Sequence, residues 1–331
     1  MQSCRHSEFG GIPLSDFLTF WTNSKQQILL ERFLLLMVCL IGGVILRRTT
    51  LVNQNTPVLI NKLLVYFFIP VLTLYHIPKI QFEPSLIWLG ITPFIVYLSS
   101  FIFVKWIALF QQMDRQTEGA LIMCSGIGSI SFVGFPIFEL LYGEEGLSYG
   151  VILSLAGTFV VFNTLGLYTG IRYAAKTNFS GLQILRKMIR FPSFVAFLIA
   201  LGVNVFDIEY PLLLDSTLKN LSAPFSVLAL LAIGMQVEFS FDKTFLSAML
   251  VGQLHKLIVA PIMIYLLVWQ FLGITDLVGK ICILGAAVGS MNAISILAAQ
   301  MGLQPKLAMS MPAIGIPLSI PFLFLIDMLL Q

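Results

Sequence analysis

Ten apolar stretches, most of them as long as a bilayer's hydrocarbon core is thick, dominate this chain. They cover residues 28–46, 59–77, 86–110, 119–142, 148–174, 191–206, 217–237, 244–273, 278–301 and 306–330. A helix needs about 20 apolar residues to cross ~30 Å of hydrocarbon. Within hydrocarbon only helices and closed barrels satisfy their own backbone polar groups, and runs of this length read as helices. The composition agrees, with 58% apolar residues, 11% charged residues and a mean hydropathy of +0.93. A soluble domain carries about 25% charged residues. The sequence therefore predicts an all-α polytopic membrane protein.

The connections between stretches are short, so no soluble domain is expected between them. Residues 1–27 form a tail that holds Glu8 and Asp16 and lacks the continuous apolar core of a signal peptide. Within it, Ile12 to Thr22 reads either as a short interfacial helix or as disordered chain. Residues 28–174 and 191–331 form two halves of five spans each, joined by a basic loop at 175–190 with Lys176, Arg186, Lys187 and Arg190. Loops after odd-numbered spans carry ten Lys and Arg residues, against four on the other side. The positive-inside rule then places both termini outside the cytoplasm and the 175–190 loop within it.

Two stretches are poor helices. The fourth carries Gly126, Gly128 and Gly134, with Pro136 close behind and Ser125, Ser129 and Ser131 among them. The ninth carries Gly285, Gly289, Ser290, Asn292 and Ser295. Glycine costs a helix about 1 kcal/mol relative to alanine, and proline removes a donor. An opened span survives in a membrane only inside protein or beside a polar cavity, and a matched pair of them points to a transporter's binding site.

Five spans per half means that a duplicated half inserts upside down. Several segments support such an inverted repeat. TPFIVYL from Thr92 parallels APIMIYL from Ala260, which pairs Pro93 with Pro261 and Tyr97 with Tyr265. NKLLVYFFIP ends in Pro70 and LKNLSAPF contains Pro224, while the fourth and ninth spans close on Gly143 and Gly302. The expectation is ten transmembrane helices in an inverted five-plus-five repeat, with broken crossover helices in spans four and nine.

Three segments carry a resemblance to a known family. They are NKLLVYFFIPVLTLYHI, SISFVGFPIFELLYGEEGL and GSMNAISILAAQMGLQPKLAMSMPAIGIPLSIP. Together they resemble the auxin efflux carrier family, which includes plant auxin exporters and bacterial malonate and malate permeases. The likeness spans about residues 28 to 331. It implies a static scaffold of spans one, two, six and seven, a moving domain of the rest, and elevator-like alternating access. Two positions depart from the pattern: Ser129 stands where many members have asparagine, and Gly289 where they usually have proline.

The candidate substrate-binding residues are Ser129, Ser131, Gly134 and Pro136 on the fourth span and Gly289, Ser290, Asn292 and Ser295 on the ninth. Half-helix N-termini present free N–H groups and partial positive charge, which suit a carboxylate. Close packing of small residues is the alternative reading of the same stretches. Glu139, His255 and Lys256 are candidates for ion coupling or charge tuning, because ionisable groups within a span must face protein or water. Lys62 and Lys105 lie near span ends, where a lysine can snorkel to the interface. Asn163 and Gln253 are expected to bond between helices.

No nucleotide loop, metal-ligand spacing, catalytic triad or cofactor motif is present, and Cys4, Cys39, Cys124 and Cys282 lie far apart. The net charge of +3 is scattered, which argues against a nucleic-acid partner. The leading expectation is a secondary transporter for a small organic anion, coupled to protons, to sodium or to neither. It would reside in a plasma or bacterial inner membrane, with homodimerisation through the scaffold as an option. A sodium-coupled symporter of the bile acid type is the alternative. A membrane sensor or intramembrane enzyme is less favoured, since the chain has no output domain and no aligned nucleophile and base.

Overall fold

The computed structural model of the chain describes residues 24–49, 52, 53, 55–174, 186, 188–236 and 243–330. The expectations for Ile12 to Thr22 and for most of the 175–190 loop fall outside these residues. Among the described residues every regular element is helical, and the one β-type contact is an isolated antiparallel bridge between Gly128 and Ser290.

In chain order the elements begin with α1 (Ser24–Arg48), α2 (Thr56–Lys79), α3 (Pro84–Gln111) and α4 (Arg115–Gly126). They continue with α5 (Ile130–Tyr173), α6 (Pro192–Val205), α7 (Leu212–Gln236) and α8 (Leu246–Phe271). The last three are α9 (Leu277–Ala287), α10 (Asn292–Gln300) and α11 (Pro305–Leu329). Six of them, α2, α3, α5, α7, α8 and α11, are long and apolar enough to cross a membrane. The helices α6 and α9 are apolar but shorter.

The 44 residues of α5 would measure ~66 Å if straight, about twice the hydrocarbon thickness. Instead the chain doubles back at Gly143, whose φ of 69° and ψ of −152° lie outside the helical region. A methyl group on Gly150 would touch Phe138 at 2.7 Å and Phe135 at 3.3 Å, and the Ser131 and Ser154 hydroxyls meet at 2.6 Å. Residues so far apart along one helix touch only when its two arms lie side by side. Glycine at 143 permits the reversal because φ is positive there.

Close backbone approach fixes α1 on α7. A Cβ on Gly43 would lie 2.3 Å from the Leu231 carbonyl oxygen, and one on Gly234 would lie 2.2 Å from that of Leu40. Small residues at a membrane helix contact let dispersion act between backbones, where lipid offers no hydrophobic drive. The main core runs through Leu64, Leu72, Phe135, Phe138, Ala260 and Leu284, while a second cluster gathers Tyr97, Leu121, Met123, Ala298 and Met311.

Candidate functional site

The helix α4 stops at Gly126, and helical structure resumes at Ile130 as a wide π-type turn that opens α5. The helix α9 stops at Ala287, and α10 begins at Asn292. The two gaps face each other. The Ser129 N–H donates to the Gly289 carbonyl at 2.8 Å, and the Met291 N–H donates to that of Ile127 at 3.0 Å. Two short extended segments thus satisfy each other's backbone, as a low-dielectric interior requires. Gly289 permits the close approach of α11, since a Cβ there would lie 2.5 Å from the Gly315 carbonyl oxygen.

On one side of this bridge lies a cavity of about 470 Å³, within the usual range for small-molecule sites. Gly128 to Phe132 and Met291 to Ala293 line it, so the starts of α5 and α10 both open on it. Tyr66, Phe159, Phe162 and Phe191 supply aromatic walls, with Phe159 stacked on Phe191 at 4.8 Å. Among the described residues that line it, Lys62 is the one Lys, Arg, Asp or Glu, and it is exposed. Several π-type turns border the cavity, and they carry Ser131, Ser154, Thr158 and Asn163. Such turns recur at functional sites because they widen the helix and free backbone groups.

Ser129, Ser131 and Asn292 line the cavity. Ser131 pairs with Ser154, and the Asn292 amide donates to Gln236 Oε1 at 3.0 Å. Gly134 and Pro136 lie outside the lining, buried in the first turns that follow the gap. Gly289 and Ser290 form the bridge itself, and the buried Ser290 hydroxyl has no hydrogen-bond partner among the described residues. Ser295 points into the second core cluster, where its hydroxyl meets Cys124 Sγ at 3.4 Å. Glu139 accepts a hydrogen bond from Ser226 of α7, away from the lining. His255 meets Ser99 at 2.9 Å, and Lys256 reaches the bridge from the side opposite the cavity.

Two wall residues were not singled out from sequence. Asn61 of α2 and Gln236 of α7 exchange amide hydrogen bonds at 3.2 and 3.3 Å, and Gln236 also receives the bond from Asn292. Three amides from three elements thus form one chain along the cavity. Asn61 opens the NKLLVYFFIP segment, but Gln236 sits at the end of an apolar helix with no local motif to mark it.

The model of the family described as membrane transport protein matches residues 28–326. An uncharacterized transporter of Methanocaldococcus jannaschii is 22% identical over 244 residues, covering 71% of this chain and 77% of that protein. An uncharacterized transporter of Methanothermobacter thermautotrophicus is 24% identical over 152 residues, 46% of this chain and 48% of its own length.

Proposed function

The chain belongs to the membrane transport protein family and is an integral membrane protein, and from that premise we propose a secondary transporter for a small organic anion. The carboxylate would sit in the cavity against the starts of α5 and α10. One observation carries this reading: two helix starts converge on a cavity whose lining, among the described residues, holds Lys62 and no Asp or Glu. Convergent N-termini supply N–H donors and partial positive charge, and an acid-free wall adds no repulsion.

The ten-span inverted repeat is part of the proposal, as is elevator-type movement. The cavity wall supports it, because Asn61, Ser193 and Gln236 come from the elements assigned to the scaffold and Ser129, Ser154 and Asn292 from those assigned to the moving domain. Movement of one group past the other would carry the cavity across the membrane. The termini lie outside the cytoplasm, in a plasma or bacterial inner membrane, and Ser129, Ser131 and Asn292 contact the substrate. Gly134, Pro136, Gly289, Ser290 and Ser295 shape the gap from behind.

The test is a thermal-shift screen of purified protein against small mono- and dicarboxylates, in sodium and in choline, followed by uptake into vesicles. Asn292→Leu should abolish carboxylate binding and uptake while the protein still reaches the membrane. Wild-type transport by that variant would sink the site assignment, and stabilisation by an apolar cation would sink the anion assignment. A strict sodium requirement would favour the bile acid type of symporter.

A further inference from the structure

The side of the bridge away from the cavity has the opposite polarity. Here α4 and α9 end, at Gly126 and Ala287, so the carbonyl ends of two helices converge. Between them lies a void of about 10 Å³, bordered by Gly126, Gly128, Gly285, Ala286, Thr92 and Lys256. That is space for the centre of about one water molecule. The Thr92 hydroxyl is buried there. Lys256 is 1% exposed, and a Cβ on Gly128 would lie 3.1 Å from its Nζ. No Asp or Glu borders the void, and none forms a salt bridge with Lys256 among the described residues.

An ammonium so deep in a membrane protein needs a source of negative potential. Two helix C-termini provide one, each equivalent to roughly half a negative charge. In transporters with interrupted helices, such carbonyl ends commonly hold a sodium ion or a proton. Here a covalently attached cation reaches the same kind of place. Gly128, Ile130 and Thr158 border both the void and the cavity, so the wall between them is about one residue thick. With no side chain at Gly128, the ammonium lies close behind the cavity surface.

We propose that the Lys256 ammonium is a built-in cation, seated at the carbonyl ends of α4 and α9, which lets the cavity bind an anion without recruiting sodium from solution. It acts across the bridge, so Lys256 is a positioning residue that touches no substrate. This inference rests on the anion reading above.

The experiment measures binding of acetate, benzoate and malonate, and of their neutral amides acetamide, benzamide and malonamide, to wild type and Lys256→Met in detergent. At an effective dielectric near 20, a unit charge within about 10 Å changes carboxylate affinity on the order of tenfold to fiftyfold. Lys256→Met should lose that factor for the carboxylates and leave the amides unchanged. Wild-type affinity should be the same in sodium and in choline, a measurement that decides the matter even if the variant misfolds. An unchanged preference for carboxylate over amide in Lys256→Met, an equal loss for both ligand types, or a sodium requirement in wild type would each overturn the inference. If no carboxylate binds wild type under any condition, the anion reading itself fails and this inference goes with it.

Discussion

Replacing Gly289 with alanine adds one methyl group at the tightest point of the bridge. Its carbon would lie 2.5 Å from the Gly315 carbonyl oxygen, 2.6 Å from the carbonyl carbon and 2.8 Å from the Ile316 nitrogen. Ordinary contact begins near 3.4 Å, so the closest approach is short by roughly 0.9 Å. All three neighbours are backbone atoms, and no side-chain rotation can relieve the clash. Either α11 retreats or the bridge opens. Overpacking of this kind costs about 1–3 kcal/mol. If the bridge opens, the bonds from Ser129 to Gly289 and from Met291 to Ile127 are lost as well. Each is worth about 1 kcal/mol net, and more if its groups stay unpartnered. The expected loss is therefore about 1–3 kcal/mol if α11 retreats and about 3–5 kcal/mol if the bridge opens. A suitable control is Gly202→Ala in α6, where an added Cβ meets nothing within 4 Å. Helix propensity predicts that the control is neutral or slightly stabilising. The assay is thermal unfolding in detergent, with and without a carboxylate that stabilises wild type. If Gly289→Ala melts with Gly202→Ala and keeps its ligand response, the close approach of α11 does not hold the gap in place.

Three further outcomes are expected. Gln236→Leu leaves the Asn61 and Asn292 amides without their shared partner, which should cost about 1–3 kcal/mol per unsatisfied group and weaken carboxylate binding, as read by melting and by titration. Gly234→Leu drives a side chain into the Leu40 backbone of α1 and should lower the melting temperature by several degrees without changing the carboxylate-over-amide preference of protein that still folds. Asp114 caps α4 through the Thr117 N–H at 3.3 Å, and Asp114→Ala should cost about 1 kcal/mol near neutral pH. Partial burial works against the charge at Asp114, but hydrogen bonds from Thr117 and Gln304 outweigh it and hold the carboxyl below its ordinary value of 3.8. Its contribution is therefore present above that value and lost as the pH falls through the depressed one, so melting curves of wild type and Asp114→Ala should converge in acid.

Much of this architecture was legible in the chain because a bilayer leaves few options. Apolar runs such as 86–110 and 306–330 reappear as Pro84–Gln111 and Pro305–Leu329, since each must bond its own backbone where no water can. The match to the membrane transport protein family over residues 28–326 bears out the resemblance drawn from the span-two, span-four and span-nine segments. Sequence also marked where helical structure weakens. Glycine, serine and proline raise the local cost of a helix, so the gaps at 127–129 and 288–291 fall within the glycine- and serine-rich stretches.

Only tertiary structure decided which face of each gap meets which neighbour. Ser129 and Ser131 turn toward the cavity, whereas Ser290 is buried in the bridge and Ser295 packs against Cys124. A serine's identity carries no information on which way an opened backbone points it. Gln236 joined the site because α7 brings its last residue beside Asn61 and Asn292, a contact between positions 175 and 56 residues apart. Lys256 was visible as a buried charge, but its seat behind Gly128 depends on five elements meeting at one point. Local propensity specifies where a chain stops being helical. What the opened backbone and nearby charges then face is set by long-range packing.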